Sequence, residues 1–138
     1  MTMRTITLTD RPPVKIDEDT WPVIARAKDS EHDGQVECQA NRRTVWAMHV
    51  RQHKDGRTIV YATYSYDSQY QHERGYEARH GVMLAAPAKD ADDAARIVSA
   101  IQEVGRLMAA AECDGEDAAR WPTLVAETIA DLPPEVLS

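Results

Sequence analysis

The chain has 138 residues, of which 43% are hydrophobic and 28% charged, and it carries a formal net charge of −7. This composition predicts a single globular domain over residues 1–138 and excludes an intrinsically disordered chain. The longest apolar run, at 82–88, is far shorter than the ~18 residues of a membrane span, and the opening residues lack a signal-peptide pattern. The two cysteines give no disulfide framework, so a reducing cytoplasm without membrane contact is expected.

Residues 4–9 predict a first strand, because β-branched and apolar side chains alternate there. The Pro12-Pro13 pair ends this pattern, since proline has no backbone N–H to donate in a sheet. Residues 14–16 are expected to form a short extension after the prolines.

Residues 17–28 are compatible with two structures. The acidic start is typical of a helix beginning near Trp21, but Pro22 removes a backbone donor and also fits a turn followed by a strand over 23–27. We favour the turn and the strand. A polar loop containing Asp-Gly is expected to follow at 29–35.

The clearest local signal in the sequence is a β-hairpin at 44–66. Two segments rich in Val, Ile, Thr, Tyr and Trp flank Asp55-Gly56, a pair that tolerates positive φ and predicts a two-residue type I′ turn. This turn pairs Val50 with Tyr61, and strand alternation then assigns each side chain to a face. The face expected to join the core carries Trp46, Met48, Val50, Ile59 and Tyr61. The opposite, solvent-exposed face carries His49, Arg51, His53, Tyr64 and Tyr66.

A further strand and a helix are expected after the hairpin. A loop near 67–74 leads to a strand at 76–84. Asp90 can cap the helix, whose apolar residues recur every three or four positions up to Ala111.

A second helix is expected from about 116 to 131. Pro122 removes a backbone donor in its interior, so a kink or a break is expected near Trp121. Strands first and helices last define an α+β fold, with an antiparallel sheet of about four or five strands packed against two C-terminal helices.

The charge is unevenly distributed along the chain. Residues 1–41 carry 5 basic and 8 acidic side chains, residues 42–80 carry 7 and 4, and residues 81–138 carry 4 and 11. All five tyrosines lie in the basic middle segment. This pattern is typical of a binding face, but it also arises when strands collect aromatic residues and helices carry carboxylates. Both interpretations stay open at this point.

No motif in the sequence predicts a metal or cofactor site. His49 and His53 have the spacing of a zinc-binding helix, but on a strand four residues span about 13 Å, too far for one metal. The carboxylates at 90–93 and 114–117 lack the order of a calcium loop and are expected to cap helices. No phosphate loop, dinucleotide fingerprint or nucleophile elbow is present, so no cofactor is expected.

The cysteines do not predict a nucleophile. Cys113 lies near a predicted helix end among carboxylates, which stabilise its thiol, and Cys38 is expected to be a small core residue. We therefore expect a non-enzymatic protein. The alternative is an enzyme whose site is assembled in space from distant residues, with His49, His72 or His80 beside a carboxylate.

Four segments of the sequence stand out as a set: ITLTDRPPV at 6–14, WPVIA at 21–25, VRQHKDGR with IVY across 50–61, and IADLP at 129–133. Together they resemble a group of small acidic proteins encoded in bacteriophages, prophages and related mobile elements. The resemblance covers most of the chain, from about residue 5 to 137. It implies the cytoplasm of a bacterial host and an accessory role in the life cycle of such an element, and it assigns no functional residue.

The leading hypothesis from the sequence is a small binding protein that acts on a protein partner. The strongly acidic C-terminal third can meet a basic partner, such as the DNA-binding surface of a nucleic-acid enzyme. The alternative is single-stranded nucleic-acid binding through a face that combines cations with rings able to stack on bases. The residues of this candidate face are His49, Arg51, His53, Tyr64 and Tyr66.

Overall fold

The predicted α+β fold is confirmed by a computed structural model, which describes residues 2–35, 40–68, 76–85, 93–112 and 115–134. Six strands and two helices lie in these ranges: β1 Met3–Ile6, β2 Val14–Asp17, β3 Val23–Gln35, β4 Ala40–Gln52, β5 Thr58–Ser68, β6 Tyr76–Leu84, α1 Asp93–Ala111 and α2 Gly115–Asp131. Strands β1 and β2 form a two-stranded antiparallel sheet. Strands β3 to β6 form a four-stranded antiparallel sheet in chain order.

The two helices cover one face of the four-stranded sheet. α1 packs on β5 and β6, and α2 packs on β3, β4 and α1. The side chains between these layers are apolar and buried, and they include Trp46, Met48 and Val50 of β4 and Trp121 and Leu124 of α2. Removal of this apolar surface from water is the main term that stabilises the fold.

A second, smaller apolar cluster lies on the opposite face of the sheet. There Ile59 and Tyr61 of β5 pack with Ile6, Ile16 and Trp21 from the N-terminal segment. A two-stranded hairpin such as β1–β2 is marginally stable by itself in water. Its apolar side chains therefore fix it to the sheet. The hairpin covers only the part of the second face around Ile59 and Tyr61.

The loop between β4 and β5 differs from the predicted two-residue turn. The Gly56 amide donates to the His53 carbonyl and the His53 amide donates to the Arg57 carbonyl, each over 2.9 Å. The loop therefore consists of Lys54, Asp55 and Gly56, and Gly56 takes a positive φ of 95°. Three-residue hairpin loops end in such a left-handed residue. The Asp55 carboxylate stabilises this loop by accepting a bond of 3.0 Å from the Arg57 amide.

The additional loop residue shifts the register by one and reassigns the faces. His49 lies opposite Tyr61, so the predicted pairing of Val50 with Tyr61 is wrong. Because side chains alternate along a strand, a shift of one residue moves every β5 side chain to the other face. Ile59 and Tyr61 therefore leave the helix-facing core, and Tyr64 packs against it.

The predicted turn before β3 is confirmed, and the prediction of a polar loop at 29–35 is wrong. The Trp21 amide donates to the Asp17 carbonyl over 3.1 Å, which closes a turn rather than a helix. β3 then continues to Gln35 and pairs with β4 through the segment at 29–35 that was expected to be a loop. Sheet pairing here uses backbone groups, so it does not require apolar side chains. Charged residues on such an edge strand also discourage pairing with other chains.

The first strand is shorter than predicted, because the chain beyond Ile6 crosses β6. The Thr9 amide donates to the Gly81 carbonyl over 2.6 Å, and the Gly81 amide donates to Thr9 Oγ1 over 3.3 Å. A Cβ at Gly81 would lie 2.9 Å from the Thr7 carbonyl oxygen. A glycine at this position therefore permits the close approach of the two backbones.

Both predicted helices are confirmed, and α2 is continuous. The proposed cap of α1, Asp90, lies outside the described residues. A kink or a break was expected near Trp121; Pro122 lies inside the continuous α2, so a break is wrong and a kink stays a prediction. Trp121 is fully buried against the core. Tertiary packing of this kind supplies most of the stability of a helix in a protein, and here it outweighs the loss of one backbone hydrogen bond.

A tight contact between the helices gives a first testable prediction. A Cβ at Gly105 of α1 would lie 2.3 Å from Cγ2 of Val125 in α2. Gly105→Ala should lower the free energy of unfolding by about 1–2 kcal/mol, because overpacking outweighs the gain in helix propensity. Urea unfolding followed by circular dichroism measures the change.

The double variant Gly105→Ala/Val125→Ala is the matched control, because it removes the clashing methyl group. Its free energy of unfolding should lie above that of Gly105→Ala alone. A single variant as stable as the wild type would contradict the packing of α1 against α2.

Candidate binding surface

The structure separates the five residues of the predicted binding face. His49 and Arg51 lie on the sheet face opposite the helices, whereas Tyr64 packs against the helix-facing core. His53 lies directly after the end of β4 and pairs with Arg57 at the base of the β4–β5 loop. Tyr66 lies opposite Thr44 in the sheet, and its side chain is outside the part that the structure describes. The predicted face is therefore not a unit, because the longer loop exchanges the two faces of β5.

Arg51 is a buried side chain that binds groups inside the protein and is not part of an exposed surface. It is only 8% exposed. Its Nε donates to the Tyr61 hydroxyl and its Nη1 to the Trp21 carbonyl, each over 3.0 Å. Its Nη2 lies 3.6 Å from Glu18 Oε1, and Glu18 also pairs with Arg4. Arg51 therefore ties the N-terminal hairpin and the following turn to the sheet.

His49 is a largely enclosed imidazole on the same face. Its ring stacks on that of Tyr61 with centroids 4.9 Å apart. Its Nδ1 is buried and has no hydrogen-bond partner among the described residues. Burial lowers the pKa of His49 to about 4, and surrounding cations contribute to the shift. These cations are Arg26, Arg51, Arg4 and Lys28.

The other side chains considered for chemistry are not brought to His49. His80 Nδ1 lies 3.4 Å from Thr9 Oγ1. His72, Cys38 and Cys113 lie outside the described residues. The described charged groups that shift the pKa of His49 are all cations, so no carboxylate among them orients this histidine as a general base. The absence of an enzymatic activity stays a prediction.

The uncovered part of this sheet face carries exposed cations. We call it the open sheet face and define it by the residues that point away from the helices and lie outside the second apolar cluster: Arg26, Lys28, Ser30, Val45, Ala47, His49, Thr63, Ser65 and Arg79. One row across the four strands consists of Lys28, Ala47, Thr63 and Arg79. Lys28 and Arg79 stand at its ends and are exposed. Three strand spacings separate them by about 14 Å, with small uncharged side chains between.

The cations of β3 and β6 were not predicted as part of a binding face. Arg26 and Lys28 alternate with alanines at 25–28, and this period of two is the signal of a half-buried strand that would have placed both cations on one face. Arg79 could not be placed, because its position beside Thr63 depends on the register of β5 against β6.

The acidic side chains of the helices lie in the opposite layer, and several are engaged within the chain. Glu103 pairs with Arg106 at 2.6 Å. Asp131 accepts a hydrogen bond of 2.9 Å from the Arg26 amide at the edge of β3. These carboxylates of the helices and the cations of the open sheet face thus lie on opposite sides of the sheet. A partner contact by the acidic C-terminal third stays a prediction.

The fold and this surface define a class: a small α+β protein whose sheet is packed on helices and presents cations on its other face. Comparison with protein-family models, with curated proteins and with solved structures gives no significant match. Neither of the described helices is long and apolar enough to cross a membrane. The function is therefore argued from the surfaces of the chain itself.

Proposed function

We propose that this protein is a non-enzymatic binding protein that acts on a protein partner, and that its open sheet face holds an acidic segment of that partner. The observation that carries the proposal is the row across the sheet with Lys28 at one end and Arg79 at the other. Both side chains are exposed, and the residues between them are small and uncharged.

Charge complementarity indicates the chemistry of the partner. The whole chain carries a net charge of −7, yet Arg26, Lys28 and Arg79 are exposed on one face. The charged side chains that the structure describes on that face are cations, whereas Glu77 lies opposite Ser65 on the same face and its side chain is outside the described part. Charges act over a Debye length of about 8–10 Å at physiological salt, so the acidic remainder of the surface repels an acidic partner while this face attracts it.

The width of the open sheet face suits one secondary-structure element. Its terminal cations are about 14 Å apart, and an α-helix with its side chains is about 10–12 Å wide. Ala47 and Thr63 form a floor of small side chains. An acidic helix of the partner therefore fits between the cations of β3 and Arg79.

Single-stranded nucleic-acid binding is the competing proposal, and the geometry supports it less. Stacking of bases on aromatic rings supplies about 1–3 kcal/mol per base in such complexes. Tyr61 is 5% exposed and stacked on His49, and Tyr64 packs on the helix side. No tyrosine or tryptophan ring among the described residues is therefore presented for stacking on the open sheet face.

We also propose a bacterial cytoplasm as the place of action, with an accessory role in a phage or mobile element. The resemblance to small acidic proteins of such elements supports this setting. The presence of only two cysteines supports a reducing compartment.

Differential capture from a bacterial lysate tests the proposed function. The wild type is compared with Arg26→Glu/Lys28→Glu, which reverses the charge of the β3 side of the open sheet face. We expect the wild type to retain an acidic protein at about 50 mM salt, and the double variant to bind the purified partner at least about tenfold more weakly, because each lost charge contact weakens association.

The matched control is Arg96→Glu/Arg106→Glu on α1, which changes the net charge by the same amount in the opposite layer. It should retain the partner. Recovery of no protein, or equal retention by both double variants, would count against the open sheet face as the binding surface. Loss of retention after nuclease treatment would identify the nucleic-acid alternative instead.

A further inference from the structure

A cavity of about 220 Å³ lies between β1 and strands β5 and β6, at the border of the open sheet face. Its polar lining comes from the N-terminal segment and from the sheet: Arg4, Thr5, Thr7, Thr63, Ser65 and Arg79. Pockets for cofactors and drug-sized ligands have volumes of about 300–1,000 Å³. This cavity therefore suits a small group rather than a cofactor.

The described lining combines two guanidinium groups with the hydroxyl groups of three threonines, one serine and one tyrosine, and it includes no carboxylate. A carboxylate ligand has two oxygens with about four lone-pair sites. This number of acceptor sites is smaller than the number of N–H and O–H donors in the lining. A phosphate group has more acceptor oxygens, and its geometry matches the planar fork of arginine. The donor set thus favours phosphate over a simple carboxylate.

The surroundings of the cavity are positively charged. Among the described residues, Arg4 and Arg51 share the single carboxylate of Glu18. Tyr61 forms one wall of the cavity and stacks on His49. The pKa of His49 is lowered mainly by burial and also by cations, among them Arg4. A dianion that enters the cavity therefore meets a net positive charge at Arg4, Arg51 and Glu18.

We propose that this cavity binds a phosphate group between the guanidinium groups of Arg4 and Arg79, with the hydroxyls of Thr63 and Ser65 as further donors. The site shares Thr63, Ser65 and Arg79 with the open sheet face, but inorganic phosphate needs no partner protein to bind, so the site can be tested apart from the proposed function. The phosphate group belongs either to free phosphate or to a phosphorylated side chain, and the two sources share the same contacts.

Titration with sodium phosphate at constant ionic strength, followed by two-dimensional ¹⁵N–¹H NMR, tests the site. We expect saturable shifts of the amide signals of Thr5, Thr63 and Ser65. The melting temperature should rise with phosphate but not with sodium chloride of equal ionic strength, because a ligand of the folded state stabilises it. Arg79→Gln should weaken phosphate binding about tenfold or more, as expected for loss of a charged hydrogen-bond donor.

Arg106→Gln on α1 is the matched control, because it removes the same charge away from the cavity and should leave the affinity unchanged. Circular dichroism checks that both variants fold. Shifts that do not saturate, or equal losses in the two variants, would overturn the phosphate site. This result is independent of partner capture, which is tested through Arg26 and Lys28.

A second arm distinguishes the two sources of phosphate. An acidic peptide with one phosphoserine is compared with the same peptide carrying serine. If the phosphopeptide binds more tightly than inorganic phosphate, the result supports the site and identifies a phosphorylated partner as the source. If inorganic phosphate binds more tightly, the result supports the site and identifies the free ion as the source. Failure of both probes to bind in the cavity would overturn the proposal.

Discussion

Arg51→Met should lower the free energy of unfolding by about 3 kcal/mol, because the substitution removes one member of a buried set of charged hydrogen bonds. Methionine fills much of the same volume. The Tyr61 hydroxyl and the Trp21 carbonyl nevertheless lose donors that lie 3.0 Å from each of them. Arg51 is outside the main core, so the loss reports on the attachment of the N-terminal hairpin to the sheet. Equilibrium urea unfolding measures it.

Arg57→Met provides the control for this prediction. The Arg57 guanidinium also lies near Trp21, 5.1 Å from its ring centroid, but the side chain is 43% exposed. Its removal should change the free energy of unfolding by less than about 1 kcal/mol. Similar losses in the two variants would contradict the role of Arg51. In combination with Tyr61→Phe, the effect of Arg51→Met should be less than additive, because the two residues share a hydrogen bond.

Acidification from pH 6.5 to pH 4 should destabilise the protein through His49. Burial and the neighbouring cations lower the pKa of this group from 6.5 to about 4 in the folded state. Between these values the unfolded chain binds a proton that the folded chain does not, so the free energy of unfolding falls as the pH falls. One pKa unit corresponds to 1.36 kcal/mol, so a shift from 6.5 to about 4 gives an expected total loss of about 3 kcal/mol, complete below about pH 4.

His49→Gln isolates this contribution from that of the carboxylates. Urea unfolding at a series of pH values should show a shallower pH dependence for His49→Gln than for the wild type, by up to about 1.4 kcal/mol per pH unit. Identical slopes in the wild type and in His49→Gln would contradict a neutral, enclosed imidazole at this position.

The fold class was predictable because its signals are local. The apolar residues of α1 recur every three or four positions, and the segment at 58–66 is rich in strand-forming residues. The hairpin itself was located from Asp55-Gly56. Its register was not predictable, because this pair fits both a two-residue and a three-residue loop. The longer loop is stabilised by the contact of the Asp55 carboxylate with Arg57.

The candidate surface was not predictable in the same way, because it is assembled from distant parts of the chain. Arg26 lies opposite His49 only through the pairing of β3 with β4. Arg79 reaches Thr63 through the pairing of β5 with β6. Arg4 comes to the same region because the N-terminal segment crosses β6 at Gly81. Each of these contacts depends on tertiary structure, and none has a local sequence signal.

The three-residue loop between β4 and β5 also determines where this chain can change in length. Loss of one loop residue would leave two residues between the paired His53 and Arg57, a length that closes a hairpin with the same strand register. Loss of one residue within β5 would instead exchange inside for outside along the rest of the strand, so changes in length are restricted to the loop. Single substitutions on the open sheet face leave the strand register unchanged. The binding specificity of this surface can therefore change while the core stays the same.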